Sequence, residues 1–152
     1  METMWSVGPA TQVTFDVRQP MSDLPTIRGK CDLETAERLV ALGYPAVAPA
    51  LPELLEWIQD INWPVAHILA PFLATVGRPL VPELWRVLHS DDSMWKYWCI
   101  SYIIAEMPLD VAVEFEPELS RLAHDPAPWE RAEELDDVAR DALARLAKRR
   151  AV

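Results

Sequence analysis

Lys96 is the residue whose neighbours in the sequence most suggest binding chemistry. It is a cation placed among three aromatic residues, Trp95, Tyr97 and Trp98. A cation over an aromatic face gains about 0.5–2 kcal/mol, which favours a recognition site. A structural role is favoured, since Asp92 lies one helical turn before Lys96 and the aliphatic stem can follow the rings while the ammonium reaches water. The sequence leaves both interpretations open.

The residue types used most in catalysis do not form a recognisable set. The histidines, His67, His89 and His124, fall in different predicted helices and lack spacings such as HxxxH that place two imidazoles on one metal ion. P-loop, GxGxxG and GxSxG motifs are absent from the sequence. The pairs Asp91-Asp92 and Asp136-Asp137 are typical of a helix cap and a solvated face. We therefore predict no catalytic residue, no metal site and no cofactor, and hence a protein that is not an enzyme.

The cysteines and the N-terminus indicate a cytoplasmic protein. Cys31 and Cys99 lie far apart without CxxC spacing, which is typical of reduced, buried thiols. The first residues lack the basic-then-apolar pattern of a signal peptide, and no stretch predicts a membrane span. A chain of 152 residues has the size of one domain. We predict a poorly ordered arm over residues 1–22 and a single domain over residues 23–150.

The charge is strongly negative and unevenly distributed. The net charge is −10, and the segment 110–137 is the most acidic part of the chain. The sign reverses from Arg140 to the C-terminus. An acidic surface repels nucleic-acid phosphates and suits a basic protein partner. The alternative is a solvated face that serves only to keep the protein soluble.

A buried central helix is predicted over residues 92–106. Asp92 is a good N-cap, and Met107-Pro108 ends the segment because proline disfavours helix in the residue before it. Nearly every position between these ends is apolar, as in a helix on which neighbours pack from several directions.

The remaining segments also have helical patterns. Asp32 is expected to cap a helix over residues 33–42 that turns Leu33, Ala36 and Val40 inward. Asn62 is expected to cap a helix kinked at Pro71. Residues 128–149 are expected to form one long helix.

A repeat links these helices. The tripeptide Pro-Glu-Leu begins at Pro52, Pro82 and Pro117, and each copy is followed by a tryptophan behind a capping residue; these are Trp63, Trp95 and Trp129. A proline-opened helix followed by a capped, more hydrophobic helix is the pattern of HEAT-type repeats. We therefore predict an all-α, HEAT-like α-hairpin solenoid of about three stacked helix pairs.

Two stretches, residues 52–66 and residues 91–98, resemble the bacterial family called domain of unknown function 5071. The similarity extends from about Leu24 to Leu146. The resemblance implies a small all-helical fold and no particular activity.

The predicted function is that of a protein-binding module. Tryptophan is enriched at binding hot spots, and this chain has seven. The predicted partner-binding residues, on the concave side of the solenoid, are Asp60, Asn62, Trp63, Asp92, Trp95 and Lys96. The leading hypothesis is capture of a basic protein partner rather than nucleic acid. A concrete version of this hypothesis is an immunity or antitoxin-like protein. The alternatives are a HEAT-like nucleic-acid-acting enzyme such as a DNA glycosylase, and a subunit of a larger assembly.

Overall fold

A computed structural model describes residues 24–152, and the arm predicted over residues 1–22 lies outside them. The described residues form helices joined by short turns and 3-10 segments, without a strand between residues 24 and 152. The predicted all-α class is confirmed. Among the helices of this part of the chain, no single one is long and apolar enough to cross a membrane, although the bent pair Pro64–Val76 and Arg78–Leu88 passes that test jointly.

The helices follow one another closely along the chain. They are α1 (Leu33–Leu42), α2 (Leu51–Glu56), α3 (Pro64–Val76), α4 (Val81–Leu88), α5 (Ser93–Tyr102), α6 (Leu109–Ala112), α7 (Glu116–His124), α8 (Pro128–Ala132) and α9 (Leu135–Arg150). Several of them have a proline in the first turn, where its missing N–H costs no hydrogen bond: α2, α3, α4, α7 and α8. Because of these prolines, the first turns of these helices could be predicted from the sequence.

Local capping signals fix both ends of α1. The Asp32 carboxylate accepts a hydrogen bond from the Thr35 backbone N–H at 3.3 Å, as the sequence predicts for an N-cap. Gly43 ends the helix with φ of 73°, a left-handed conformation that glycine adopts without a steric penalty. The buried face differs from the prediction, because Leu33 is exposed and Thr35, Ala36 and Leu39 are buried. The inward side is set by packing on α3.

The expected cap at Asn62 is wrong. Trp63 is the residue before α3, and it forms no side-chain capping bond. The Asn62 backbone N–H instead donates to the Asp60 carboxylate at 2.9 Å, which closes the preceding turn. Pro71 does lie inside α3, and Gly77 ends that helix.

The last predicted helix is two helices. Glu134 has φ of 63° and separates α8 from α9. A left-handed residue cannot continue a right-handed helix, and a glutamate at this position does not predict a helix break from the sequence. Ala132, the last residue of α8, is exposed at this break.

The central helix α5 begins where predicted, since Asp92 accepts from the Trp95 backbone N–H at 3.0 Å. It packs against α9, α4 and α3, and it is continued by the 3-10 segment Ile104–Glu106. It is not buried on every side, because Met94 and Tyr102 are each 42% exposed. One aromatic side of α5 therefore lies at the surface.

The predicted helix pairs are partly visible in the packing. Helix α4 packs on α5, and α7 packs extensively on α9. In the first predicted pair, α3 contacts the 3-10 segment Trp57–Gln59 that follows α2. The HEAT-like solenoid stays a prediction beyond these contacts.

Arginines of α9 hydrogen-bond the carbonyls around the C-terminal end of α5. Arg145 donates to the Ser101 carbonyl at 3.2 Å, and Arg149 donates to the carbonyls of Ala105 and Met107 at 2.9 and 2.6 Å. The last carbonyls of a helix lack partners within the helix, so these bonds satisfy groups that burial would otherwise leave unpaired. The basic end of the sequence therefore joins α9 to the centre of the fold.

The two thiols should differ sharply in reactivity. Cys31 is exposed, whereas Cys99 is buried and its burial raises the pKa of the thiol, which disfavours the reactive thiolate. We expect Ellman's reagent to modify only Cys31 rapidly in the native protein, and both Cys31 and Cys99 in urea. A Cys31→Ser variant should show no rapid phase; a rapid phase in that variant would mean that Cys99 becomes accessible in the native state.

Candidate functional site

A groove lies between α5 and the residues that connect α8 to α9. Its volume is about 320 Å³, and its lining residues are Met94, Tyr97, Trp98, Ala132, Glu133 and Glu134. We call it the aromatic–acidic groove, because α5 supplies one wall and the two glutamates belong to the other.

The aromatic wall follows from helical spacing on α5. Met94, Tyr97 and Trp98 stand at positions i, i+3 and i+4, which lie on one face of a helix. The Tyr97 and Trp98 rings meet edge to face, with centroids 4.9 Å apart and planes at 79°. Tyr102 extends the row, its ring 5.9 Å from that of Trp98 at 63°. These mutual contacts hold the rings in place at a partly exposed surface.

The acidic wall depends on the backbone break at Glu134. The left-handed conformation at this residue ends α8 and places Glu133 and Glu134 beside the aromatic wall. Neither carboxylate forms an ion pair with a basic residue from the described part of the chain. Both residues are exposed, so their charge is available to a cation that enters the groove.

The backbone strain at Glu134 gives a prediction. Glutamate in the left-handed region costs roughly 1–2 kcal/mol, and glycine avoids this cost but loses about 0.5–1 kcal/mol through its freer unfolded chain. We expect Glu134→Gly to raise the free energy of unfolding by about 0.5–1 kcal/mol, measured by urea denaturation. Glu134→Ala keeps the strain and should give no gain; a gain of the same size in that variant would attribute the effect to charge instead.

An ion-pair cluster anchors α8 to α7. Arg121 donates to both carboxylate oxygens of Glu130, at 3.1 and 2.9 Å, and to Glu118 at 2.8 Å. Glu130 is 3% exposed and also accepts the Ala127 backbone N–H at 2.7 Å. The hydrogen bonds from Arg121 are the main reason that the pKa of Glu130 lies below its usual value. The cluster fixes the short helix that leads into the acidic wall.

Lys96 joins α5 to the same cluster. Its side chain is buried, with only 4% of the residue exposed, and its Nζ lies 4.7 Å from the centroid of the Trp129 ring. Burial lowers the pKa of Lys96, while the carboxylates of Glu130 and Glu118 act in the opposite direction. The expected arrangement, with the ammonium in water beside Asp92, is wrong. Lys96 contributes a buried cation–π contact between two elements that flank the groove.

Of the residues predicted to bind a partner, only Trp95 lines one of the four clefts found among residues 24–152 that are described here, and their role in binding stays a prediction. Trp63 packs edge to face on Trp57, with centroids 5.6 Å apart. The Trp95 indole donates to the Leu55 carbonyl at 2.9 Å, and Trp95 borders a separate crevice of about 190 Å³ between α2 and α4.

The other predicted residues have local roles. Asp92 caps α5, and Asp60 accepts a backbone hydrogen bond within its own turn. Asn62 donates that bond, and Lys96 faces Trp129 instead of Trp63.

Sequence reasoning missed the aromatic–acidic groove for two reasons. The aromatic wall did have a signal, since Met94, Tyr97 and Trp98 share a helical face, but the apolar character of α5 suggested burial. The acidic wall had no local signal, because a continuous helix through Glu134 would have placed Glu133 and Glu134 differently.

A larger cleft does not offer the same chemistry. It has a volume of about 570 Å³ and lies between α3 and the C-terminal half of α5. Its two charged side chains, Glu106 and Arg145, form an ion pair with each other, so the cleft does not present a net charge of its own.

The described residues, 24–152, also lack any cluster of three or more His, Cys, Asp or Glu side chains that could hold a metal ion. The three histidines are exposed and lie in or beside different helices.

Comparison with known proteins identifies a family. No curated protein matches the sequence. The model of one family, described as domain of unknown function (DUF5071), matches residues 26–143, close to the limits expected from the sequence. Because this match covers most of the chain, the protein belongs to the DUF5071 family.

Proposed function

We propose that this protein is a non-enzymatic binding module that captures a basic protein partner through the aromatic–acidic groove. The observation that carries the proposal is the pairing of a partly exposed aromatic wall with Glu133 and Glu134, whose carboxylates lack an ion-pair partner among residues 24–152. A lysine or arginine of the partner would meet ring faces and negative charge together.

The charge of the whole molecule supports the same kind of partner. A net charge of −10 raises the association rate with a basic protein through long-range attraction. Binding energy concentrates at aromatic anchors near the centre of an interface, and Trp98 on the wall of the groove is the residue that we propose for this role. The net charge would thus raise the association rate, and the aromatic wall would lower the dissociation rate.

The arrangement of the basic residues argues against nucleic acid as the ligand. Arg145 pairs with Glu106 and Asp141, and Arg150 pairs with Glu116 at 2.7 Å. Arg149 is committed to backbone carbonyls. The basic end of the chain therefore has few cations available for phosphates, which need several unpaired Lys or Arg side chains for salt-dependent binding.

The specific biological form that we propose is an immunity or antitoxin-like protein of the bacterial cytoplasm that masks a toxin domain. Small size, acidic charge and a rigid helical scaffold support it by analogy only. A toxin gene beside the gene for this protein is the expected finding, whereas an isolated housekeeping context would speak against this form.

The test compares a groove variant with a matched charge control. The groove variant is Glu133→Gln/Glu134→Gln, and the control is Glu34→Gln/Glu37→Gln, which removes two exposed charges from α1. Each protein would be used to capture partners from a lysate of the host, and a captured basic protein would be purified and titrated calorimetrically. We expect the groove variant to bind at least about tenfold more weakly, equivalent to about 1.4 kcal/mol, and the control to bind like wild type. Equal binding by all three proteins would overturn the proposal.

A further inference from the structure

We propose that the aromatic–acidic groove selects arginine over lysine side chains. This inference rests on the proposed function and deepens it, because it names the chemical group that the groove binds. The alternative, that any cation of the same charge is bound equally, makes a different experimental prediction.

The shape of the groove favours a planar cation. Trp98 offers a flat indole whose position is fixed by Tyr97 and Tyr102. A guanidinium can stack on such a ring and still direct its N–H groups sideways to a carboxylate, whereas an ammonium acts as a point charge. The walls of the groove, aromatic on one side and carboxylate on the other, match the two recognition surfaces of a guanidinium.

Two neighbouring carboxylates suit the number of donors on arginine. A guanidinium carries five N–H donors in a fixed fork, and a lysine ammonium carries three that rotate. Glu133 and Glu134 together provide four carboxylate oxygens beside the same wall. Arg121 already shows this mode within the protein, since it bridges the two carboxylates of Glu118 and Glu130.

Lys96 shows what this protein requires to hold an ammonium over an aromatic ring. That contact occurs at a residue only 4% exposed, where protein groups exclude water from the cation. The aromatic–acidic groove is open by comparison, since Met94 on its wall is 42% exposed. An ammonium is strongly hydrated and a guanidinium weakly so, which favours arginine at an open site.

The test uses two defined probes of equal charge. They are acetyl-Gly-Arg-Gly-Arg-Gly-amide and its lysine counterpart, titrated into the 15N-labelled full chain at constant ionic strength. The observed signals are the indole N–H resonances, with that of Trp98 assigned from a Trp98→Phe variant. Trp85 packs on His89 and Phe115, which do not line the groove, and serves as the internal reference for non-specific association with tryptophan.

We expect the arginine peptide to shift the Trp98 signal more than the Trp85 signal, and to bind at least about threefold more tightly than the lysine peptide. Glu133→Gln/Glu134→Gln should weaken the arginine peptide at least about fivefold, and Glu34→Gln/Glu37→Gln should not. Equal affinities of the two peptides at Trp98 would overturn the selection of arginine and leave the proposed function intact. Absence of a Trp98 response, or equal responses of Trp98 and Trp85, would overturn the inference. The proposed function falls only if the captured partner is also insensitive to the groove variant.

Discussion

Replacing Lys96 with glutamate is expected to reduce the free energy of unfolding by about 4 kcal/mol or more. The new carboxylate would be buried near Glu130 and Glu118, and it would lose the contact with the Trp129 ring. The nearby cation Arg121 is already bound to both of those glutamates, so the new carboxylate gains no partner of its own, and a buried unpaired charge is among the most destabilising single changes. Urea denaturation followed by circular dichroism measures the effect.

Lys96→Met is the matched control. Methionine keeps most of the aliphatic stem and removes the charge, and exchange of a buried charge for an apolar side chain of similar size is often nearly neutral. We expect this variant to remain within about 1 kcal/mol of wild type. If it lost as much stability as Lys96→Glu, the ammonium itself would be essential to the fold.

The difference in stability between wild type and Lys96→Met should change with pH in a defined direction. Burial lowers the pKa of Lys96 from 10.5, so the folded state releases the Lys96 proton at a lower pH than the unfolded state. Between the lowered folded value and 10.5 the unfolded state binds more protons, and stability therefore rises with pH. Wild type should gain stability relative to Lys96→Met as the pH rises through this window. A relative loss would show that the charged form is favoured by its surroundings.

The burial of Lys96 also affects which variants are suitable for testing partner binding. Lys96 was a reasonable sequence candidate for a recognition residue, because a cation among aromatic residues suits an exposed groove. Because Lys96 is buried and contacts Trp129 of α8, its substitution tests the packing between α5 and α8 and not a partner-binding surface. Glu133 and Glu134 are cleaner probes, since both are exposed and neither is paired with a basic residue in the described region.

The elements of this fold that were predictable have signals within a few residues. Asp32 and Asp92 cap helices, Gly43 and Gly77 end them, and proline marks the first turn of α4. Each signal acts through a backbone hydrogen bond or a restricted dihedral angle in its own turn. Such effects can be predicted from the local sequence, and the prediction of the all-α class followed from them.

The candidate site was less predictable because it depends on contacts between distant segments. The break at Glu134 is held by α8, which is in turn anchored through Glu130 to Arg121 and through Trp129 to Lys96. The exposed side of α5 is likewise decided by which neighbours pack on it, not by its own composition. A pattern of apolar residues shows that a helix has a buried side, but it does not show where that side ends.

Arg149→Ala is expected to lower the free energy of unfolding by about 2–4 kcal/mol. The guanidinium donates to the carbonyls of Ala105 and Met107, and both of those residues are buried. Removing the donors takes two hydrogen bonds away from carbonyls of buried residues, and each buried acceptor left unpaired costs roughly 1–3 kcal/mol. Urea denaturation of wild type and variant measures the loss, and hydrogen exchange should show faster opening of the segment after α5.

Arg149→Lys distinguishes the contribution of the two hydrogen bonds to stability from the contribution of the positive charge. Lysine preserves the favourable interaction of a cation with the C-terminal end of α9, but its single ammonium does not reproduce the two diverging bonds of a guanidinium. We expect this variant to recover less than half of the loss. Full recovery would mean that the charge alone matters, and that the basic end of this acidic chain stabilises α9 through its dipole. Partial recovery would instead show that the two diverging hydrogen bonds of the Arg149 guanidinium join α9 to the segment after α5.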